Sequence, residues 1–232
     1  VFTENQFLNY ILPYRIRQEG LEDWRNIAYN KFKDSVHLNI YSHARRINNG
    51  LKEMFNYTGS SFPNRKLSDL YDNCKGGCME MSDITAFTMR ANGIPIAIDF
   101  AKWSNITGRH QWNSLILKDK NIPFMGIESD PEPEIIMDKI VADYKTFAKV
   151  YRQSFLKYET LNSKFNPKKV ISKVNYIDVT KEYCTNAKDI ELSFKNELKE
   201  GDLVYLCIYE ANNWVPVDFA YYKSDKLIFK DV

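Results

Sequence analysis

Residues 76–95 read GGCMEMSDITAFTMRANGIP, and the fold is predicted outward from the two ends of this segment. Its apolar side chains recur at helical steps, and two glycines precede the first helical position. The apolar pattern stops at Asn92-Gly93, a pair typical of a helix C-terminus. The segment therefore predicts a buried helix that begins at Cys78 and ends near Ala91.

The residues after this helix predict antiparallel strands. Positions 94–100 form a β-branched run typical of a buried strand, and positions 111–117 and 121–125 predict two more strands joined by a short polar turn. Residues 147–155 alternate apolar and polar side chains, which predicts a further strand. Helices followed by antiparallel strands place the chain in the α+β class.

Helical and β-rich segments flank this central region. Apolar side chains recur at helical steps within residues 4–57, so we expect residues 1–64 to be the N-terminal helical part of a core that continues over residues 65–160. A polar linker at 160–170 is the predicted domain boundary. Short strand patterns then predict a small all-β, sandwich-like module over residues 171–232, and we expect this module to be truncated.

Composition excludes several classes of function. Thirty-two basic and thirty acidic side chains leave a net charge of +2 without a long basic run, which argues against nucleic acid as a partner. No window approaches the roughly 18 to 20 apolar residues that span a bilayer, so we expect no membrane span. The chain starts at Val1 without an apolar signal region, and we expect it to be a trimmed product.

Metal and cofactor sites are not predicted. The chain has four cysteines and three histidines, and no Cys-x-x-Cys repeat suggests zinc. His37 and His43 lie in the helical region, where surface or capping roles are expected for them. Cys74 and Cys78 are four residues apart, so Cys74 is either a bystander or the partner in a disulfide that would switch Cys78 off.

A nucleophilic thiol is the chemistry that this sequence favours. Cysteine is commonly just a small buried hydrophobe, but Cys78 is placed where the N-terminus of a helix stabilises a thiolate and offers N–H groups to an oxyanion. Glycine at position 77 would let substrate approach closely. His110 is the predicted base, and Trp112 would shield the Cys–His pair from water.

Three ordered motifs resemble the transglutaminase-like cysteine superfamily. They are Gly77-Cys78, the segment Arg-Ala-Asn-Gly-Ile-Pro at 90–95, and His-Gln-Trp-Asn at 110–113. The resemblance covers roughly residues 65–155, and it implies a papain-like transglutaminase core in which helices pack on an antiparallel sheet. Flanking motifs resemble a branch common in Bacteroidetes that has a C-terminal β-domain, whose members are typically exported, often as lipoproteins.

The third member of the site departs from the family pattern. The family Asp would fall on Met125 or Gly126, and neither residue can orient an imidazole. Glu128 and Asp130 lie just downstream, and either could take this role if the strand ends in a turn. Spacing alone favours Glu128 slightly.

The leading hypothesis is acyl transfer at a peptide or amide bond, with hydrolysis as the preferred outcome and no cofactor. Its substrate would be a peptide or protein, including one linked to cell wall or glycan. Trp103 precedes His110 in a loop and is expected to contact substrate, together with Trp112 and Gly77. The resemblance implies an exported protein of the periplasm or cell surface, lipid-anchored if a removed N-terminus carried the anchor.

The alternative is a catalytically inactive binding module for a glycan or protein at the cell surface. The missing family Asp supports this hypothesis. The aromatic residues of the β-module are either a sugar-stacking surface or the filling of a sandwich core, and the core is the more common use of strand aromatics. They are Trp214, Phe219, Tyr221 and Tyr222.

Overall fold

The computed structural model describes residues 2–35, 39–62, 64–104, 108–132, 146–155, 176–194, 198–210 and 212–232. The helices in this part of the chain are α1 (Glu4–Tyr10), α2 (Trp24–Phe32), α3 (Ile40–Met54), α4 (Leu67–Asn73), α5 (Cys78–Ala91) and α6 (Thr180–Tyr183). The strands are β1 (Asn56–Tyr57), β2 (Lys75–Gly76), β3 (Ile96–Lys102), β4 (Arg109–Ile116), β5 (Asn121–Phe124), β6 (Val150–Gln153), β7 (Tyr176–Asp178), β8 (Ile190–Leu192), β9 (Leu203–Glu210), β10 (Asn213–Tyr221) and β11 (Leu227–Phe229). The chain has the predicted α+β fold.

The predicted helix α5 begins and ends where the sequence indicates. Its C-terminus has the two hydrogen bonds of a Schellman motif, from Ile94 N to Met89 O (3.0 Å) and from Gly93 N to Arg90 O (3.1 Å). Gly93 has a φ of +71°, a left-handed conformation that glycine adopts without steric cost. The Asn92-Gly93 pair therefore stops the helix for the predicted reason.

A fully buried arginine fixes the turn between α5 and β3. Arg90 donates from Nε and Nη2 to the carbonyl oxygen of Ile96, at 3.3 and 3.1 Å. Burial, together with the nearby charge of Arg25, lowers the pKa of Arg90 to about 10. The arginine of the Arg-Ala-x-Gly-Ile-Pro motif thus has a structural role, since it holds the first residue of β3 against the end of α5.

Helices α2, α3 and α4 surround α5. Trp24 of α2 packs edge-on against Phe87 of α5, with ring centroids 5.0 Å apart. Helix α3 lies within the region of helical periodicity at residues 4–57, and its core face includes Ala44, Ile47 and Leu51. None of the helices in the described ranges is long and apolar enough to cross a membrane.

The expectation for His43 was wrong. This residue lies on the buried side of α3 next to Ala44, where it is enclosed rather than at the surface or at a helix cap. Burial lowers the pKa of its imidazole. The helical period had already placed position 43 beside the core face, and polarity was a misleading guide to its exposure. His37 lies outside the described residues.

The largest sheet has the strand order β5-β4-β3-β6-β7. Strands β4 and β5 are antiparallel, with Asn113 opposite Phe124 and Ile116 opposite Asn121. Strands β6 and β7 are also antiparallel. By contact density the chain divides into two compact units, one within Val1–Asp99 and Gln111–Ile140 and the other within Phe100–His110 and Val141–Val232.

The four strands predicted in the C-terminal region are present, and they form two antiparallel pairs. Strands β9 and β10 form a hairpin with a register shift between Pro216 and Asp218, and β8 pairs with β11. The side chains of Tyr222, Leu227 and Phe229 form a small core against which side chains of the hairpin pack. The strand β7 and the short helix α6 were not predicted. The proposed boundary at 160–170 lies outside the described residues and stays a prediction.

Candidate active site

Cys78 is the first residue of α5 and is half-buried. Gly77 is the N-cap residue, and its N–H donates to Glu80 Oε2 at 3.0 Å. The N–H of Phe62 donates to the other carboxylate oxygen of Glu80, which is only 2% exposed. Ser82 Oγ donates to the carbonyl oxygen of Cys78 at 2.8 Å. Hydrogen bonds of the Glu80 and Ser82 side chains therefore fix the first turn of α5, which carries the thiol.

Two opposing charges act at this helix terminus. The partial positive charge of the helix N-terminus stabilises a thiolate at Cys78. The carboxylate of Glu80, two residues further along, caps the same terminus and is a nearby negative charge that opposes it. The helix terminus thus favours a thiolate, the Glu80 carboxylate disfavours it, and a cationic imidazole nearby would add to the effect of the helix.

The glycines before Cys78 are required by packing within the chain. A Cβ atom at Gly77 would lie 2.6 Å from Ser61 Oγ, and one at Gly76 would lie 2.6 Å from Glu80 Cβ. Both distances are too short for any side chain without rearrangement. The sequence interpretation was close approach of substrate, and the predicted contact of Gly77 with substrate stays a prediction.

Cys74 is a free thiol with a partner of its own. It is the left-handed C-cap residue of α4, with φ 43° and ψ 42°, and its Sγ donates to the carbonyl oxygen of Tyr71 at 2.7 Å. Burial raises the pKa of Cys74, against an opposing effect of Lys31. Cys74 and Cys78 are not joined by a disulfide in this structure, and the disulfide switch stays a prediction.

His110 is the second residue of β4 and is half-buried. The indole ring of Trp103 stacks on its imidazole, with ring centroids 5.8 Å apart and planes inclined by 19°. Trp103 is 3% exposed, so the ring that shields His110 is itself covered. The sequence did not predict this contact of Trp103, and the shielding of the Cys–His pair by Trp112 stays a prediction.

Neither tryptophan presents a ring face at the surface. Trp112 is fully buried, and Trp103 is nearly so. Their predicted contact with substrate stays a prediction, which the burial of both rings does not support.

A buried polar network that the sequence did not reveal follows His110 in the chain. Gln111 accepts a hydrogen bond from Arg17 Nη2 at 2.6 Å and donates to Ser82 Oγ and, at 3.2 Å, to Asp83 Oδ1. Arg17 Nε donates to Asp83 Oδ2 at 2.8 Å. Burial raises the pKa of Asp83, against the opposing effects of Arg17 and Gln111. The network fixes β4 to the second turn of α5.

The two candidate carboxylates differ in their surroundings. Asp130 accepts hydrogen bonds on Oδ1 from Asn48 Nδ2 and Lys52 Nζ, both at 3.0 Å, and its Oδ2 lies 3.9 Å from Arg45 Nη2. All three partners belong to α3. Glu128 is exposed. Asp130 Oδ1 is therefore hydrogen-bonded to α3, and Oδ2 lies within ion-pair distance of the same helix.

Asn48 holds the turn that carries both carboxylates, and sequence reasoning missed it. Its Oδ1 accepts from the N–H of Ile127 at 2.8 Å, and its Nδ2 also donates to the carbonyl oxygen of Ser129 at 2.9 Å. Ile127 has a φ of +76°, a strained conformation for a β-branched residue. The one available signal was a polar residue on the core face of α3, next to Ile47.

The described residues contain no group of three or more His, Cys, Asp or Glu side chains that could hold a metal ion. The chemistry available at the predicted positions is that of a thiol at a helix terminus and an imidazole beneath an indole ring.

Comparisons with known proteins give the following similarities. The profile of the transglutaminase-like superfamily matches residues 30–124. A crystal structure of a candidate cysteine protease from Cytophaga hutchinsonii is 19% identical, with a TM-score of 0.39, and the match covers 46% of this chain and 37% of that one. The chain thus spans well under half the length of the Cytophaga protein. LapG of Legionella pneumophila is 16% identical, with a TM-score of 0.39, over 64% of this chain and 84% of that one. No curated protein matches the chain.

Proposed function

We propose that this chain, whose residues 30–124 form a transglutaminase-like domain, is a cysteine-dependent enzyme of acyl transfer that hydrolyses a peptide or amide bond. The observation that carries the proposal is the position of Cys78. It is the first residue of a fourteen-residue helix whose side chains are mostly buried, with a glycine as N-cap. A thiol in this position has the local environment that activates a nucleophile.

The proposed reaction has two stages. The Cys78 thiolate attacks the carbonyl carbon, a C–S bond forms, and the C–N bond breaks as the imidazolium of His110 protonates the leaving amine. Water then gives a proton to His110 and attacks the thioester. The C–S bond breaks, and the carboxylic acid and the free Cys78 thiolate are released. An amine in place of water would give transamidation.

Glu128 is the proposed orienting acid. Asp130 remains the alternative, but its Oδ1 accepts hydrogen bonds from both Asn48 and Lys52 of α3. Glu128 is exposed and lies beside Ile127, whose strained backbone marks this turn. Strained residues concentrate at functional sites because the surrounding structure must maintain them.

The substrate class we propose is a peptide or protein, with cell-wall-linked or glycan-linked chains included. We also propose export to the periplasm or cell surface, on the basis of the sequence resemblance. Fractionation of the producing cell tests the location, and recovery of the protein in the cytoplasm alone would contradict it.

Replacement of the nucleophile tests the proposed chemistry. Cys78→Ser should lower turnover of a responsive peptide or amide substrate by roughly 10³-fold or more, because a hydroxyl is a far poorer nucleophile in a thiol site. Cys74→Ser is the matched control, since it removes a thiol four residues away, and it should keep full activity. Unchanged turnover in Cys78→Ala would refute the assignment.

Alkylation of Cys78 gives a second measurement that needs no substrate. In a Cys74→Ser background we expect the rate of iodoacetamide labelling, followed by mass spectrometry at Cys78, to titrate below the ordinary thiol pKa of about 8.5. His110→Gln should move the titration back toward that value. If the labelling rate at Cys78 in the Cys74→Ser protein instead titrates near the ordinary thiol pKa, the result would favour the alternative function, a binding module.

One observation favours the runner-up function, a surface that binds glycan or protein. Trp214 is 71% exposed at the start of β10. Its ring packs against that of the exposed Tyr209, with ring centroids 5.3 Å apart. Phe219 and Tyr222 are buried, and Tyr222 belongs to the apolar core of the C-terminal strands. Glycan-array binding that is lost in Trp214→Ala, together with an unreactive Cys78, would select this function.

A further inference from the structure

A buried glutamate of the C-terminal hairpin reaches the connection between β3 and β4. Glu210 is the last residue of β9 and is 6% exposed. Its Oε2 accepts from Nζ of Lys102, the last residue of β3, and its Oε1 accepts from the N–H of Gly108 at 2.6 Å. Gly108 immediately precedes β4. A single carboxylate therefore joins the end of one strand to the start of the next.

These two contacts lie next to the ring pair that contains His110. Trp103 follows Lys102, and its N–H donates to the carbonyl oxygen of Gly108 at 3.3 Å. The indole ring of Trp103 stacks on the imidazole of His110, which is two residues after Gly108. The Glu210 carboxylate thus fixes Lys102, the residue before Trp103, and Gly108, which lies two residues before His110.

The backbone at Gly108 makes this contact specific. Its φ is +123°, a conformation that L side chains rarely adopt, and no atom lies within 4 Å of the position of a Cβ. Glycine is therefore required here because of its φ angle, since a Cβ atom would have room. This conformation allows the Gly108 N–H to reach Glu210.

The ion pair is well placed to hold a geometry. The hydrogen bond from Lys102 and that from Gly108 lower the pKa of Glu210, so its carboxylate is ionised at neutral pH. Charge-assisted hydrogen bonds are roughly twice as strong as neutral ones, and an acceptor that is hidden from water does not exchange them for solvent.

We propose that Glu210 is a positioning residue for His110, which it orients through Lys102, Gly108 and the stacked ring of Trp103. The inference rests on the proposed role of His110 as the base. It makes the C-terminal strands part of the working enzyme, because the site needs a residue from β9.

A set of folded variants tests the proposal. Glu210→Gln keeps an oxygen acceptor for Gly108 but loses the ion pair, Glu210→Ala loses both, and Lys102→Met removes the ion pair from the other side. Glu191→Gln is the matched control, since Glu191 is an exposed glutamate of β8 that is paired with Lys226. Unfolding midpoints show which variants are folded at the temperature of measurement.

The decisive readout is the imidazole of His110 itself. In heteronuclear NMR spectra the three histidines can be assigned by substitution. We expect the ring chemical shifts and the titration midpoint of His110 to change most in Glu210→Ala and less in Glu210→Gln. The control variant should leave both unchanged. Lys102→Met should resemble Glu210→Gln. With a substrate available, kcat should fall roughly 10- to 100-fold in Glu210→Ala, while KM changes little.

The NMR result separates this inference from the proposed function. If Cys78→Ser shows that the protein has no thiol-dependent activity, displaced His110 signals still support the positioning role. Unchanged His110 signals in folded Glu210→Ala overturn it, whatever the activity. Where Glu210→Ala does not fold, unchanged signals in both Glu210→Gln and Lys102→Met overturn it equally.

Discussion

At the scale of single residues, the structure gives Glu128 and Asp130 different environments. Asp130 is bound to the side chains of Asn48, Lys52 and Arg45, which hold it against α3. Glu128 lies two residues before Asp130 in the same turn and is exposed. Two acids two residues apart therefore have different expected effects on stability and on catalysis.

Asp130→Asn should destabilise the protein in a pH-dependent way. Burial raises the pKa of Asp130, but the hydrogen bonds of Asn48 and Lys52 and the charges of Lys52 and Arg45 outweigh it, so the pKa in the folded state is lowered. Such a group contributes stability that is fully present above its unfolded pKa of about 3.9 and is lost as the pH falls through the folded value. Thermal unfolding from pH 7 to pH 3 should show a gap between parent and variant that closes in acid.

Glu128→Gln should act on catalysis. In a variant shown to be folded we expect a loss of roughly 10² to 10⁴ in kcat, because an imidazole without its orienting acid is a poor base. Activity retained in Glu128→Gln but lost in a folded Asp130→Asn would reassign the third position to Asp130.

At the scale of elements, the start of α5 depends on Glu80. Its carboxylate accepts the N–H of Gly77 and that of Phe62 and is almost completely buried. The helix that carries Cys78 is thus capped from inside its own first turn.

Glu80→Gln should therefore destabilise the fold by roughly 1 to 3 kcal/mol, since the amide nitrogen replaces one of two buried acceptors and leaves an N–H without a partner. Urea unfolding measures the change. Glu53→Gln on α3 is the matched control, because Glu53 is exposed and should change stability by less than about 0.5 kcal/mol. Equal effects of the two substitutions would contradict the capping role.

At the scale of the whole molecule, Lys149 connects distant parts of the chain. Its Nζ contacts Asp178 Oδ2 at 2.5 Å, the carbonyl oxygen of Lys230, and Asp218 Oδ2 at 3.6 Å. The side chain of Lys149 is almost completely buried, and so is that of Asp218. One ammonium group therefore joins the residue before β6 to β7, β10 and the C-terminal residues.

Lys149→Met should cost roughly 3 to 5 kcal/mol, because the buried carboxylate of Asp218 would lose its cation. Guanidinium unfolding measures this, and hydrogen exchange should show earlier opening of β9 and β10. Lys230→Met is the control: its ion pair with Asp189 is exposed and should contribute at most about 1 kcal/mol. A small effect of Lys149→Met would mean that the β-module is held mainly by its apolar core.

The sequence by itself determined the local structure and the candidate chemistry. The boundaries of α5, the strands on either side of residues 118–120 and the strands of the C-terminal region follow from helical steps, alternation and turn residues, which act over a few positions. The motifs around Cys78 and His110 gave the resemblance to the transglutaminase-like superfamily for the same reason, since each motif is contiguous.

Tertiary structure alone decided which side chains support those positions. Asn48 contacts Asp130 across 82 residues of chain, and Glu210 contacts Lys102 across 108. The tertiary structure also stacks the ring of Trp103 on that of His110, and it packs the glycines before Cys78 against other side chains. The physical reason is that a hydrogen bond or ion pair between remote residues leaves no periodicity in the sequence, whereas a helix or a strand repeats its pattern along the chain.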